Sequence, residues 1–220
     1  MDNTFEMKRK WETILDFTSL FLLFMVGSVL GFILEGIWHR IKLGIWESHS
    51  AVVWGPFCII YGIGAAAVYL LSCCLWKKSM FLQFLAFCFS GAAVEYFSGL
   101  LQELCFGSIS WDYSRHVLNI GGRVSLQMAL FWGILGILFI RYIFPCLSRL
   151  FDKLHGKSIK TPCFVLAVFM VVNIIVSAAA VLRWRERQNN IPVSNQIEVF
   201  LDEHYNDDTM KKIYPNMQFQ

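Results

Sequence analysis

The chain has 220 residues, of which 56% are hydrophobic and only 16% are charged, and its formal net charge is +3. A soluble domain is typically about 25% charged, so this composition excludes an ordinary soluble protein and indicates one embedded in a membrane. No concentrated basic tract is present, so we predict no nucleic-acid partner.

Five apolar segments are long enough to cross a bilayer, since a spanning helix needs about 20 mostly apolar residues. They are too long for membrane β-strands and do not alternate polar with apolar residues. The first follows a charged start but is too long for a signal-peptide core, so we expect it to be retained. The sequence predicts an all-α, polytopic membrane helix bundle of about five helices over residues 1–182. The predicted spans are 14–35, 52–76, 80–106, 124–147 and 162–182.

The loops between these spans carry an uneven distribution of Lys and Arg. The N-terminus and the short second and fourth loops together have nine, whereas the longer first and third loops have four. Because cytoplasmic loops are enriched in Lys and Arg, we predict a cytoplasmic N-terminus. Five crossings place the tail on the opposite side, where Arg183, Arg185 and Arg187 oppose the bias. A re-entrant segment or a sixth crossing would change this orientation.

The remaining residues, 183–220, form a polar C-terminal tail. Asn195 and Glu198 have the spacing of a capping box, and Ile197, Phe200 and Leu201 fall on one helical face. We therefore predict a short amphipathic helix near residues 195–205.

Two parts of the chain resemble each other and indicate an internal repeat. GFILEG begins at Gly31 and carries Glu35, and GAAVEY begins at Gly91 and carries Glu95. Each is followed by a Trp–acid pair, a Gly and another helix. Two spans per unit return the chain to its starting side, so the units would form a parallel repeat, with Glu35 and Glu95 at equivalent positions.

Glu95 lies near the middle of the third span, where a charge costs about 2.5–3.5 kcal/mol on insertion scales. It shares a helical face with small and polar residues, which favours an orientation into the bundle. Its partner could be Arg123, Arg141 or a tyrosine hydroxyl in a purely structural role. Alternatively, Glu95 could belong to a substrate, proton or lipid-headgroup site. For Glu35, the structural and the functional interpretations are equally supported.

The loop WDYSRHVLNIGGR, residues 111–123, is either an anchored turn or a lid whose Asp112 and Arg123 contact a polar group. We interpret His39 and Lys42 as interfacial residues. The seven cysteines lack metal-ligand spacing, and no nucleotide-hydrolysis or hydrolase motif is present. We therefore predict no metal, no cofactor and no catalytic residue, which counts against an enzyme.

GPFCIIYGIGA, WDYS, NIGGRVSL and FWGILG resemble the Putative ABC-transporter type IV family of bacterial membrane proteins, often labelled CmpB-like. The resemblance covers roughly residues 20–145 and leaves the fifth span and the tail outside. It implies a permease in the bacterial plasma membrane with an ATPase on a separate chain. One departure is Ile59, where a proline is expected. The positions that carry the resemblance are Gly55, Pro56, Tyr61, Gly62, Glu95, Trp111, Asp112, Tyr113, Ser114, Gly122, Arg123, Trp132 and Gly133.

Three functions remain open at this point. The first is a transport component with a polar seam around Glu95, its site candidates being Glu35, Tyr61, Asp112 and Arg123. The second is an assembly or regulatory subunit without a site of its own, and the third is an intramembrane lipid-binding protein or enzyme. The partners expected are membrane lipids, a separate ATPase subunit that docks on the basic loop 148–161, or further copies of the chain.

Overall fold

The structure is a computed structural model that describes residues 17–75, 77–147, 149 and 157–220, without the side chains of 157 and 158. The start of the first predicted span and the basic residues near the N-terminus lie outside these residues. So does most of the predicted ATPase-docking loop 148–161.

The described chain is built from helices, as predicted for a membrane bundle. Four helical segments are long and apolar enough to span a bilayer, and a fifth is apolar but has only 16 residues. The five are α1 (Phe17–Leu43), α2 (Ile59–Cys74), α3 (Met80–Phe106), α4 (Leu126–Leu138, continued by a π-helical turn over Phe139–Ile143) and α5 (Lys157–Gln188).

Local sequence sets the ends of α3 and the start of α4. Ser79 and Ser125 cap the two N-termini, because their hydroxyls accept hydrogen bonds from the amides of Leu82 and Met128. Gly107 ends α3 in the left-handed conformation at φ 59°, which a glycine adopts without strain.

The helices pack as two close pairs, α1 with α2 and α3 with α4, and α5 lies against α1 and α3. Leu23, Tyr69, Phe87 and Phe144 form a buried core that joins the two pairs. Many apolar side chains on the outer faces are exposed, as expected for surfaces that face lipid.

The segment before α2 is not helical, although the predicted span began at residue 52. Its backbone is held by α5: Val53 N donates to Ser177 Oγ at 2.8 Å, and Trp54 N donates to Asn173 Oδ1 at 3.1 Å. Asn173 Nδ2 returns a bond to Trp54 O at 2.7 Å. Asn173 and Ser177 lie within the part of α5 that is long and apolar enough to cross a bilayer, so the segment packs against a candidate membrane span. Within a bilayer, non-helical backbone is tolerated only when protein groups satisfy it.

The polar tail folds into a cap over residues 189–220. It contains α6 (Gln196–His204), α7 (Asp207–Ile213) and strand β2 (Gln218–Phe219), which pairs antiparallel with β1 (Ser108–Ile109) after α3. Asn195 caps α6, as its capping-box spacing indicates. This pairing places the cap on the same side of the bundle as the third loop.

Two arginines of α5 attach the cap. Arg183, with a side chain 4% exposed, contacts Asp202 at 2.9 Å and Glu186 at 3.0 Å. Arg187 contacts Asp202 at 2.5 Å and Asp207 at 2.6 Å. Two of the three arginines that opposed the charge bias in the sequence, Arg183 and Arg187, therefore bind acidic residues of the chain itself.

Candidate functional site

Glu35 of α1 is bound by a tyrosine of the neighbouring helix. Tyr61, in the first turn of α2, donates its hydroxyl to Glu35 Oε1 at 2.5 Å. The Tyr61 ring packs directly over Gly31, one turn before Glu35, where a side-chain carbon would overlap it. The glycine therefore lets the ring approach α1 closely enough to reach the carboxylate.

Glu95 of α3 is buried, with 5% exposure, and its partner is a loop residue. Tyr113 donates its hydroxyl to Glu95 Oε1 at 2.9 Å. The indole of Trp132, from α4, lies beside the same carboxylate and packs over Gly91. The second oxygen, Oε2, is buried and has no hydrogen-bond partner of good geometry among the described residues.

The two carboxylates belong to one region of the bundle. The Tyr61 ring, whose hydroxyl binds Glu35, and the Trp132 ring, which lies beside Glu95, are 5.0 Å apart between centroids. We call the five residues Glu35, Tyr61, Glu95, Tyr113 and Trp132 the carboxylate seam. It lies where the α1–α2 pair meets the α3–α4 pair.

The two helix pairs make matching contacts. Gly62 of α2 packs against Phe24 and Ser28 of α1, and Gly133 of α4 packs against Phe84 and Cys88 of α3. Phe24 and Ser28 of α1 precede Phe84 and Cys88 of α3 by 60 positions, which is also the separation of Gly31 from Gly91.

Two other predicted site residues have different partners. Asp112 is exposed and accepts hydrogen bonds from the Ser114 amide and hydroxyl at 2.8 and 3.0 Å, which hold its pKa below the usual range. Arg123 pairs with Glu103 at 2.5 Å and lies 5.7 Å from the Tyr96 ring centroid.

Arg141, another predicted partner of Glu95, is exposed. The tyrosine alternative is therefore the one that the structure shows for Glu95.

A model of one protein family matches residues 22–178, which is more than half of the chain. Its description is "Putative ABC-transporter type IV". The chain belongs to this family. No curated protein and no solved structure matches it.

The ABC-transporter type IV match confirms the resemblance and extends it beyond residue 145 to include most of α5. It therefore covers the whole carboxylate seam, together with Asn173 and Ser177, whereas the cap lies outside it. Together with the apolar helices, membership identifies a membrane protein of a transport-related family.

Most of the remaining positions that carry the resemblance lie in the two longer loops. Gly55 and Gly122 have positive φ angles of 86° and 69°, which favour glycine, and the Trp111 indole donates to Arg123 O at 2.9 Å. Pro56 precedes α2, and Ser114 donates its amide and its hydroxyl to the Asp112 carboxylate within the third loop.

Tyr113 was not predicted by name as the Glu95 partner, and Asn173 and Ser177 were not predicted to hold the segment before α2. In the sequence, Asn173 and Ser177 differ from their neighbours only as polar residues within an apolar helix.

Proposed function

We propose that the chain is the permease-like component of a membrane transport system, and that the carboxylate seam is its solute or proton path. The observation that supports this most is Glu95, a buried carboxylate with one oxygen held by Tyr113 and the other without a well-placed partner among the described residues. Ionisable groups inside a membrane commonly belong to ion or substrate pathways, because they are costly to retain otherwise.

The matching contacts of the helix pairs support a second part of the proposal, a parallel internal repeat. In each pair a glycine of the first helix receives an aromatic ring from the second, and that ring lies beside a Glu one turn further on. Sites in repeat-built transporters lie at the repeat interface near the midplane. The seam lies between the two helix pairs, which supports this part of the proposal.

Access of water to the seam can be measured without knowing the solute. In a chain whose cysteines are replaced, Ser98→Cys lies one turn from Glu95, and Phe97→Cys, on a side chain 59% exposed, is the matched control. We expect a charged, membrane-impermeant thiol reagent to label the first variant but not the second in membranes. Protection of both positions would contradict a water-accessible path.

The transport reading also requires an energy source on another chain. We expect an ATPase subunit to co-purify after cross-linking in native membranes, and Glu95→Gln to keep that partner while losing solute-stimulated ATP hydrolysis. Unchanged hydrolysis in the folded variant would instead favour an assembly subunit, in which the glutamates only hold helices together.

The proposed location is the bacterial plasma membrane with a cytoplasmic N-terminus, based on the family and on the Lys and Arg bias. The cap and the third loop then face outward. A cysteine introduced at the exposed Glu203 should react with the impermeant reagent in intact cells. Reaction only after lysis would reverse the orientation.

A further inference from the structure

Two histidines and a glutamate converge beside the seam, at the end of α1. Glu35 and His39 are four residues apart and share a helical face, and His49 comes from the following loop. One potential ligand atom from each of the three lies within 4.8 Å of the others. The imidazole rings of His39 and His49 are 4.2 Å apart between centroids.

One imidazole nitrogen of each histidine is buried without a hydrogen bond of good geometry within the described part of the chain. These atoms are His39 Nδ1, which forms an ion-pair contact with Glu47 Oε2 at 3.1 Å, and His49 Nε2. Buried polar atoms without partners are uncommon and often mark a missing ion or water.

The protein around the cluster fixes its members in place. The Trp46 indole packs on Gly36, which holds the loop against α1, and Asn173 anchors the same loop beyond His49. Tyr61 orients the Glu35 carboxylate through Oε1. Such support from neighbouring groups is typical of metal ligands.

We propose that Glu35, His39 and His49 bind a divalent transition-metal ion of the zinc class. Imidazole and carboxylate ligands suit this class, and three protein ligands leave a position open for water or a solute group. Four-coordinate zinc holds its ligand atoms about 3.3 Å apart, so small side-chain rotations would close the set. Glu47 Oε2 lies 3.1 Å from His39 Nδ1 and serves as an additional or orienting carboxylate.

The test uses the purified full chain in detergent, with an affinity tag that contains no histidine. After chelator treatment and dialysis, we expect ZnCl2 titration to give one bound Zn²⁺ per chain. X-ray absorption should show nitrogen and oxygen ligands with two imidazoles. A sulfur shell would assign the metal to cysteines and overturn the proposal, as would the absence of stoichiometric binding.

Variants identify the ligands. His39→Gln and His49→Gln should lose stoichiometric binding, and Glu47→Gln should weaken it by about 10–100-fold. His204→Gln, at an exposed histidine of the cap, is the matched control and should bind as the wild type does. Equal affinity in all four variants would refute the assignment. X-ray absorption on the wild type decides the ligand set even if a variant fails to fold.

The ion could be a resident of the protein or a transported solute, and proteoliposomes containing a fluorescent zinc indicator separate the two. Zinc accumulation that is lost in His49→Gln identifies a solute, whereas tight binding without accumulation identifies a resident ion. The site itself does not depend on the transport proposal, because binding is measured on the chain alone.

Discussion

The buried amide of Asn173 offers the sharpest test of how the segment before α2 is held. Asn173→Leu keeps a similar side-chain volume but removes both hydrogen bonds to the Trp54 backbone. Measured side-chain hydrogen bonds in membrane proteins average about 0.6 kcal/mol and reach about 1.7 kcal/mol. Two lost bonds should therefore lower the free energy of unfolding by about 1.2–3.4 kcal/mol.

Unfolding with SDS in mixed micelles measures this loss. Asn189→Leu is the matched control, since the exposed side-chain amide of Asn189 bonds to Arg185 O alone in the part of the chain that the structure describes. This substitution should cost less than about 0.5 kcal/mol. A local readout is Cys58, which lies at the end of this segment, directly before α2. With the other cysteines replaced, Cys58 should react faster with a maleimide in the Asn173 variant. Unchanged stability and an unchanged labelling rate would refute the anchoring role.

Three further predictions concern helix packing and the cap. Gly91→Ala should destabilise the bundle by about 1–3 kcal/mol in the same SDS assay, because the added methyl group overlaps the Trp132 indole; wild-type stability would contradict this packing. Arg183→Met should weaken cap docking by about 1–3 kcal/mol, and faster trypsin cleavage within 189–220 would show this weakening. The loss is smaller than the about 3–5 kcal/mol of a fully buried pair because the Asp202 side chain is 26% exposed. The Arg183 guanidinium holds the pKa of Asp202 below its usual value, so the stability that this pair contributes is complete above the unfolded pKa of about 3.9 and is lost as pH falls further. Hydrogen exchange of the cap, corrected for intrinsic rates, should therefore rise below about pH 4. Equal protection of the cap at pH 5 and pH 3 would disprove this pH dependence.

The helices of this bundle were largely predictable because length and apolarity decide whether a segment can span a bilayer. The start of α2 was not. Residues 52–58 are nearly as apolar as a helix, but Asn173 and Ser177 supply hydrogen bonds that a spanning segment otherwise makes internally. Composition cannot distinguish these two solutions, because both remove the backbone polar groups from lipid.

The candidate site was predictable in part for a similar reason. The small and polar residues around Glu35 and Glu95 recur with helical periodicity, so the helix faces that carry the two glutamates could be predicted from residue spacing. Their partners were harder to identify, because Tyr113 and His49 lie in loops whose path depends on tertiary contacts. The capping box of α6 was readable for the opposite reason, since Asn195 and Glu198 are three residues apart.

The short sheet that joins the cap to the third loop sets an order of assembly during synthesis. Ser108 pairs with Phe219, so β1 must leave the ribosome and wait for 111 further residues before its partner exists. Those residues include α4 and α5, and the pairing therefore forms only after both have been synthesised. A chain whose synthesis stops within α5 would leave Ser108–Ile109 as an unpaired strand edge, which is open to pairing with other chains.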